Sequence, residues 1–227
     1  MKPTFLCLLL ALAAAAPAHA APPGTTEITV TGRGAIALAP NVAIVSAGVQ
    51  SNAPTAAQAL AENNAAYDRI VGALTGLAIT RADISMAGYN VSYTAPRPGQ
   101  ADTEQTGYTV SRDFSVKVRA IAKAGEVTDA CIGAGATSIN GVQFTLADNA
   151  AARAQAVALA VADARKSAEL LARESALHVV GIAKVSLDSA GDGGGPVMFR
   201  AAARPTAFDQ GNVEVSASVT VVFLAQP

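Results

Sequence analysis

The stretch YTVSRDFSVKVR, Tyr108 to Arg119, alternates apolar and polar side chains more strictly than any other part of the chain. Tyr108, Val110, Phe114, Val116 and Val118 fall on one face, and Thr109, Ser111, Asp113, Ser115, Lys117 and Arg119 on the other. A period of two marks a half-buried β-strand. Arg112 is the odd residue in the apolar row. A guanidinium there must pair with an acidic group of the chain, snorkel to water or meet another subunit. Upstream, Ile84 to Ala95 reads as a second strand with Tyr89, Val91 and Tyr93 on one face, and a polar loop, PRPGQADTEQT (96–106), joins the two. Together they predict a long antiparallel hairpin.

Working outward toward the N-terminus, Pro54-Thr55 opens a helix. Thr55 and Gln58 have the spacing of a capping box, and Ala57, Leu60, Asn64, Tyr67, Val71 and Leu74 step by three or four along one stripe. Gly76 is its expected stop. Before it, Val42 to Gln50 carries apolar groups on both faces, which predicts a central strand covered on two sides. Glu27 to Thr31 alternates as a strand, and Gly32-Arg33-Gly34 reads as a bulge or turn. Toward the C-terminus, Lys123 to Gly133 is a short helix and Ile139 to Leu146 a short strand. Asp148 caps the longest helix, which reaches about Leu177 on a stripe of Ala150, Ala154, Val157, Val161, Ala164, Ala168 and Leu171. Val179 to Ser186 and Val213 to Leu224 are strands, separated by the linker-like 191–212 (GDGGGPVMFRAAARPTAFDQGN). The order ββαββ then αβαββ gives an α+β fold with a largely antiparallel sheet or sheets, carrying two long helices and one short one.

Composition narrows the function. With 16 Lys+Arg against 17 Asp+Glu, the net charge of -1 excludes the basic surplus of a nucleic-acid binder. Apolar residues at 51% and charged residues at 15% exclude disorder. Residues 1–20 have the pattern of a secretory signal: Lys2, an apolar run from Phe5 to Ala16, Pro17, then Ala18-His19-Ala20 as a small-x-small cleavage site. The run is short for a membrane span, which needs about 20 residues. Cys7 lies inside the run, so lipidation is not expected. Cleavage after Ala20 leaves a mobile leader (21–26), a folded region over 27–225, and a periplasmic address.

The same cleavage removes Cys7 and His19, so Cys131 and His178 become the single cysteine and histidine. One Cys makes no internal disulfide, and one His with one Cys makes no His/Cys zinc site within a chain. Acidic residues are scattered, no catalytic, cofactor or metal group is expected, and no mature segment is apolar enough for a membrane helix. Gly191 to Gly195 lacks the Lys-Ser/Thr and the helix that a phosphate loop needs, and reads as a flexible loop. His178 falls at a helix C-terminus, where a cation is favoured. Cys131 is by default a buried small hydrophobe, the alternative being a redox thiol. Loop 191–212 sets Met198, Phe199 and Phe208 beside Arg200 and Arg204, either docking on a partner or covering the protein's own sheet. The expected interface residues are therefore Arg112, Tyr108, Phe114, Met198, Phe199 and Phe208.

Taken in order, ITVTGRGAIALAPNVAIVSAGV, AQALAENNAAYDRIVGAL, TRADISMAGYNVSY, GYTVSRDFSVKVR, INGVQFTLADNAAARAQAVALAVADARKSAELLA and VEVSASVTVVF resemble the SIMPL-domain family of bacterial periplasmic proteins, which includes the 26-kDa-type periplasmic immunogenic antigens. The resemblance covers nearly all of Glu27 to Phe223. One departure is Arg33 between two glycines, where relatives often carry an acidic residue. The resemblance implies an exported protein without assigned catalytic residues, linked in some members to stress tolerance and to ring-like or channel-like oligomers. Three functions follow as expectations: self-assembly or binding of envelope partners, an envelope enzyme or thiol-based protectant using Cys131 or His178, and a small-ligand binder using a cleft between hairpin and helices.

Overall fold

The computed structural model describes residues 24–95, 106–193 and 211–227. The signal segment, most of the leader and most of loop 191–212, with Met198, Phe199 and Phe208, lie outside the described residues.

The elements run β1 (Thr26–Leu38), β2 (Val42–Ala53), α1 (Ala56–Gly76), β3 (Ile84–Thr94), β4 (Gly107–Val118), α2 (Ala124–Ala134), β5 (Ser138–Thr145), α3 (Ala150–Glu174), β6 (His178–Gly193) and β7 (Val213–Gln226). The fold is α+β, and every described ladder is antiparallel. Two sheets form, with strand orders β3-β4-β2-β5 and β1-β7-β6. The chain ends thus meet in one sheet, while the middle of the chain builds the other.

The four-stranded sheet carries α1 and α2. The expected β3–β4 hairpin is present, with Tyr89, Val91 and Tyr93 opposite Arg112, Val110 and Tyr108. Its core gathers Val45, Val49, Tyr67, Ile70, Leu74, Phe114, Val116, Val118, Val127 and Cys131. Thr55 caps α1 by accepting from the Gln58 N–H at 3.3 Å. The α1 stripe differs from expectation by a rotation. Ala59, Asn63, Ala66, Tyr67, Ile70 and Leu74 are buried, whereas Ala57 and Asn64 are exposed. Asn63 turns inward because its amide can donate to two strand carbonyls, Val49 O at 3.0 Å and Val110 O at 3.2 Å. β2 is central, but the helices lie on its Ala43/Val45/Ala47/Val49 face alone. Ile44 and Ser46 on the other face are only half-buried, so two-sided cover overstates it.

The three-stranded sheet carries α3. Val215, Val219, Val221 and Phe223 of β7 meet Ala152, Ala156, Ala160, Ala164 and Ala168. Of the expected stripe Ala164 and Ala168 are buried, but Val161 and Leu171 are exposed, and the buried row is of alanines alone, at every fourth position from 152 to 172. Such a row drifts about 40° per step around the helix, as suits a helix over a twisted sheet. The alanine rule follows from how near α3 lies to β1. A Cβ on Gly32 would stand 2.1 Å from the Ala160 carbonyl oxygen, and one on Gly34 would stand 2.2 Å from that of Ala156. Gly32 and Gly34 therefore mark a close approach rather than a turn, and β1 pairs with β7 in unbroken register through both. Asp163 of α3 also accepts from the outward Arg33 N–H at 3.0 Å, guarding that edge of the sheet.

Both long helices end without glycine in the left-handed position. Ala78 (φ 64°) and Ala176 (φ 56°) occupy it, with Ile79 N–H donating to Leu74 O and Leu177 N–H to Ala172 O. Gly76, the expected stop, is instead the last residue of α1.

Candidate interaction surface

β3 is an edge strand, and its apolar side chains point to the same side as α1. α1 packs over β2 and β4 and leaves β3 uncovered. Met86, Tyr89, Val91 and Tyr93 are between 42% and 61% exposed. The Tyr93 and Tyr108 rings pack at 4.9 Å between centroids, tilted by 44°. A register shift between Met86 and Gly88 twists the strand, a common way of blunting an edge.

Arg112 sits at the inner margin of this stripe. Its guanidinium lies 4.5 Å from the Tyr67 ring centroid and 5.2 Å from that of Tyr89. Nη2 donates to Asn64 Oδ1 at 2.6 Å. Of the alternatives the sequence leaves open, the internal acidic partner is not found: among the described residues, the ion pairs are Arg119–Asp83 at 2.8 Å and Arg165–Glu169 at 3.6 Å. Aromatic faces and a neutral amide hold the cation instead, which is what a ring quadrupole permits. Phe114 is 1% exposed and packs its ring against Tyr67 at 5.5 Å. It belongs to the core and cannot reach a partner, because α1 covers that stretch of β4. Tyr108 is half-buried.

β6 repeats the pattern on the other sheet. Val180, Ile182, Val185 and Leu187 are between 47% and 55% exposed. Ile182, Val185 and Leu187 pair with Phe223, Val221 and Val219, on the side where α3 lies. α3 sits chiefly over β1 and β7, so this side of β6 is open. Sequence reasoning stopped β6 at Ser186 and missed its apolar row, since three register shifts break the alternation that would reveal it.

The reactive groups are dispersed. Cys131 is buried in α2, and burial pushes its thiol up to about 11. His178 is exposed at the start of β6, opposite Gln226. Asp83 accepts from Thr80 Oγ1 at 2.7 Å and pairs with Arg119 at 2.8 Å. The Thr80 hydroxyl, foremost, and then Arg119 hold its carboxyl below the usual range, although desolvation opposes them. Among the described residues, no three His, Cys, Asp or Glu side chains gather as metal ligands, and no helix is long and apolar enough to cross a membrane. Arg33, Ser189, Glu214, Ser216 and Ser218 line an open groove of about 410 Å³ on the face of the three-stranded sheet away from α3.

Two antiparallel sheets, one backed by α1 and α2 and the other by α3, each ending on a long uncovered edge strand, define the class as a layered α+β protein. The chain belongs to the SIMPL family, described as a protein of unknown function (DUF541), whose profile matches residues 28–223. It is similar to the 26 kDa periplasmic immunogenic proteins of Brucella melitensis biotype 1 and Brucella abortus (strain S19), at 30% identity over 152 residues in each case. The match takes in 63% of this chain and 60% of each relative's length.

Proposed function

We propose that this chain is a periplasmic protein that acts through contact, assembling with copies of itself or docking envelope partners, and not through catalysis. One observation carries the reading: β3 and β6 each leave a row of apolar side chains half-exposed along a sheet edge. Contiguous apolar surface of this kind marks interaction sites on soluble proteins, and tyrosine, methionine and arginine are the residues enriched there. The names of the Brucella proteins support the periplasmic location, and the N-terminal leader pattern agrees with it. The thiol-protectant reading is weaker, because a buried thiol with a raised pKa is a poor nucleophile at neutral pH. A role in stress tolerance rests on the family resemblance.

The experiment is a pair of charge substitutions followed by sedimentation. Residues 21–227 are expected to sediment as a defined assembly, and Tyr93→Lys or Ile182→Lys to shift it toward monomer while the circular dichroism spectrum stays native. Assembly indifferent to both substitutions would contradict these edges as the contact surface.

A further inference from the structure

Arg112 is held in place more than it is satisfied. A guanidinium has five N–H donors. One of them serves Asn64, and Nε is buried with no partner. Arg81 lies 5.6 Å from the centroid of the same Tyr67 ring, and neither arginine is in an ion pair among the described residues. Two positive charges thus flank one tyrosine without an ion pair among the described residues, in a chain whose net charge is -1. Buried donors left unpaired in a native structure call for an explanation. A planar fork clamped by aromatic faces is organised in advance for a planar anion.

The setting selects the anion's carrier. Arg112 pairs with Tyr89 across the β3–β4 ladder, so the fork opens beside the exposed row of Met86, Tyr89, Val91 and Tyr93. β3 is also the end of its sheet. An edge strand offers backbone hydrogen bonds to an added strand, and side chains at alternate positions read its sequence. We propose that Arg112, framed by Tyr67 and Tyr89 with Arg81 alongside, recognises a carboxylate on an extended polypeptide segment laid along β3. This rests on the reading of β3 as a contact surface and names the chemistry of the partner.

The test uses residues 21–227 and a short, end-blocked, fluorescent peptide of alternating threonine and valine with one central glutamate, beside its glutamine twin. The glutamate peptide is expected to bind at least about tenfold more tightly, the scale of a charged hydrogen bond, with affinity falling as salt rises. Arg112→Lys keeps the charge but loses the fork, and Tyr89→Ala removes one clamp; each is expected to erase most of the preference, and both remain usable if Arg112→Gln does not fold. Absence of binding, equal affinity for the two peptides, or a preference that survives Arg112→Lys would overturn the proposal. Failure here is separable from failure of the contact reading. A defined assembly without peptide preference removes this inference alone, and a strict monomer that keeps the preference removes self-assembly alone.

Discussion

The backbone of Gly32 lies against the backbone of Ala160 so closely that a single added methyl would stand 2.1 Å from the Ala160 carbonyl oxygen. That contact sets the distance between α3 and β1 and restricts the buried row of the helix to alanine. Gly32→Ala and Gly34→Ala should each destabilise the fold by about 3 kcal/mol, at the upper end of what overpacking costs. Urea unfolding measures it. A loss under about 1 kcal/mol would show that α3 can move away without penalty.

Ala78 and Ala176 hold the left-handed conformation that ends α1 and α3. An L-residue pays about 1–2 kcal/mol there, while glycine adds about 0.4–1 kcal/mol of unfolded-chain freedom. Ala78→Gly and Ala176→Gly should therefore each stabilise by about 0.5 kcal/mol, the reverse of the effect of glycine inside a helix. Thermal unfolding of the two variants and their double would register the gain; a lower melting temperature would contradict the cap geometry.

Asp83 is hydrogen-bonded by Thr80 and paired with Arg119, and both lower its pKa. The folded state therefore binds its proton less readily than the unfolded chain. This contribution to stability is present above the unfolded carboxylate value, about 4, and is lost as pH falls through the lower folded value. Asp83→Asn should flatten the acid limb of the stability profile relative to wild type. Profiles that run parallel between pH 2 and 5 would contradict the assignment.

Cys131 should resist modification in the folded protein. Its thiol is raised to about 11 from an ordinary 9.0 by burial, so the thiolate needed for reaction is scarce at neutral pH. Labelling by a disulfide reagent should proceed only as fast as the protein opens, and become immediate in denaturant. Because the folded pKa lies above the unfolded one, stability should also decline as pH rises from 9 toward 11. Rapid stoichiometric labelling of native protein at pH 7 would contradict this placement.

The strands and their order were legible because alternation is a local signal. Tyr108 to Arg119 alone defined β4, and the face shared by Tyr89, Val91 and Tyr93 placed the hairpin. The helix faces were less legible. In an alanine-rich helix, bulk does not reveal which side is buried; the choice falls to the glycines of β1, more than a hundred residues away. The same holds for the Asn63-Asn64 pair, where neighbouring identical residues take opposite roles. Arg112 stood out as an anomaly in its row, but its partners lie on other elements: the β3–β4 ladder brings Tyr89, and only the packing of α1 on β4 brings Tyr67 and Asn64. The β6 row was hidden by its register shifts.

If the uncovered edge strands serve self-assembly, the mass of the protein in solution reports it. Light scattering coupled to size exclusion, on residues 21–227 across a wide concentration range, measures that mass. The expected result is a single mass that is a whole multiple of the protomer and persists on dilution. One protomer mass at every concentration would contradict self-assembly through these edges.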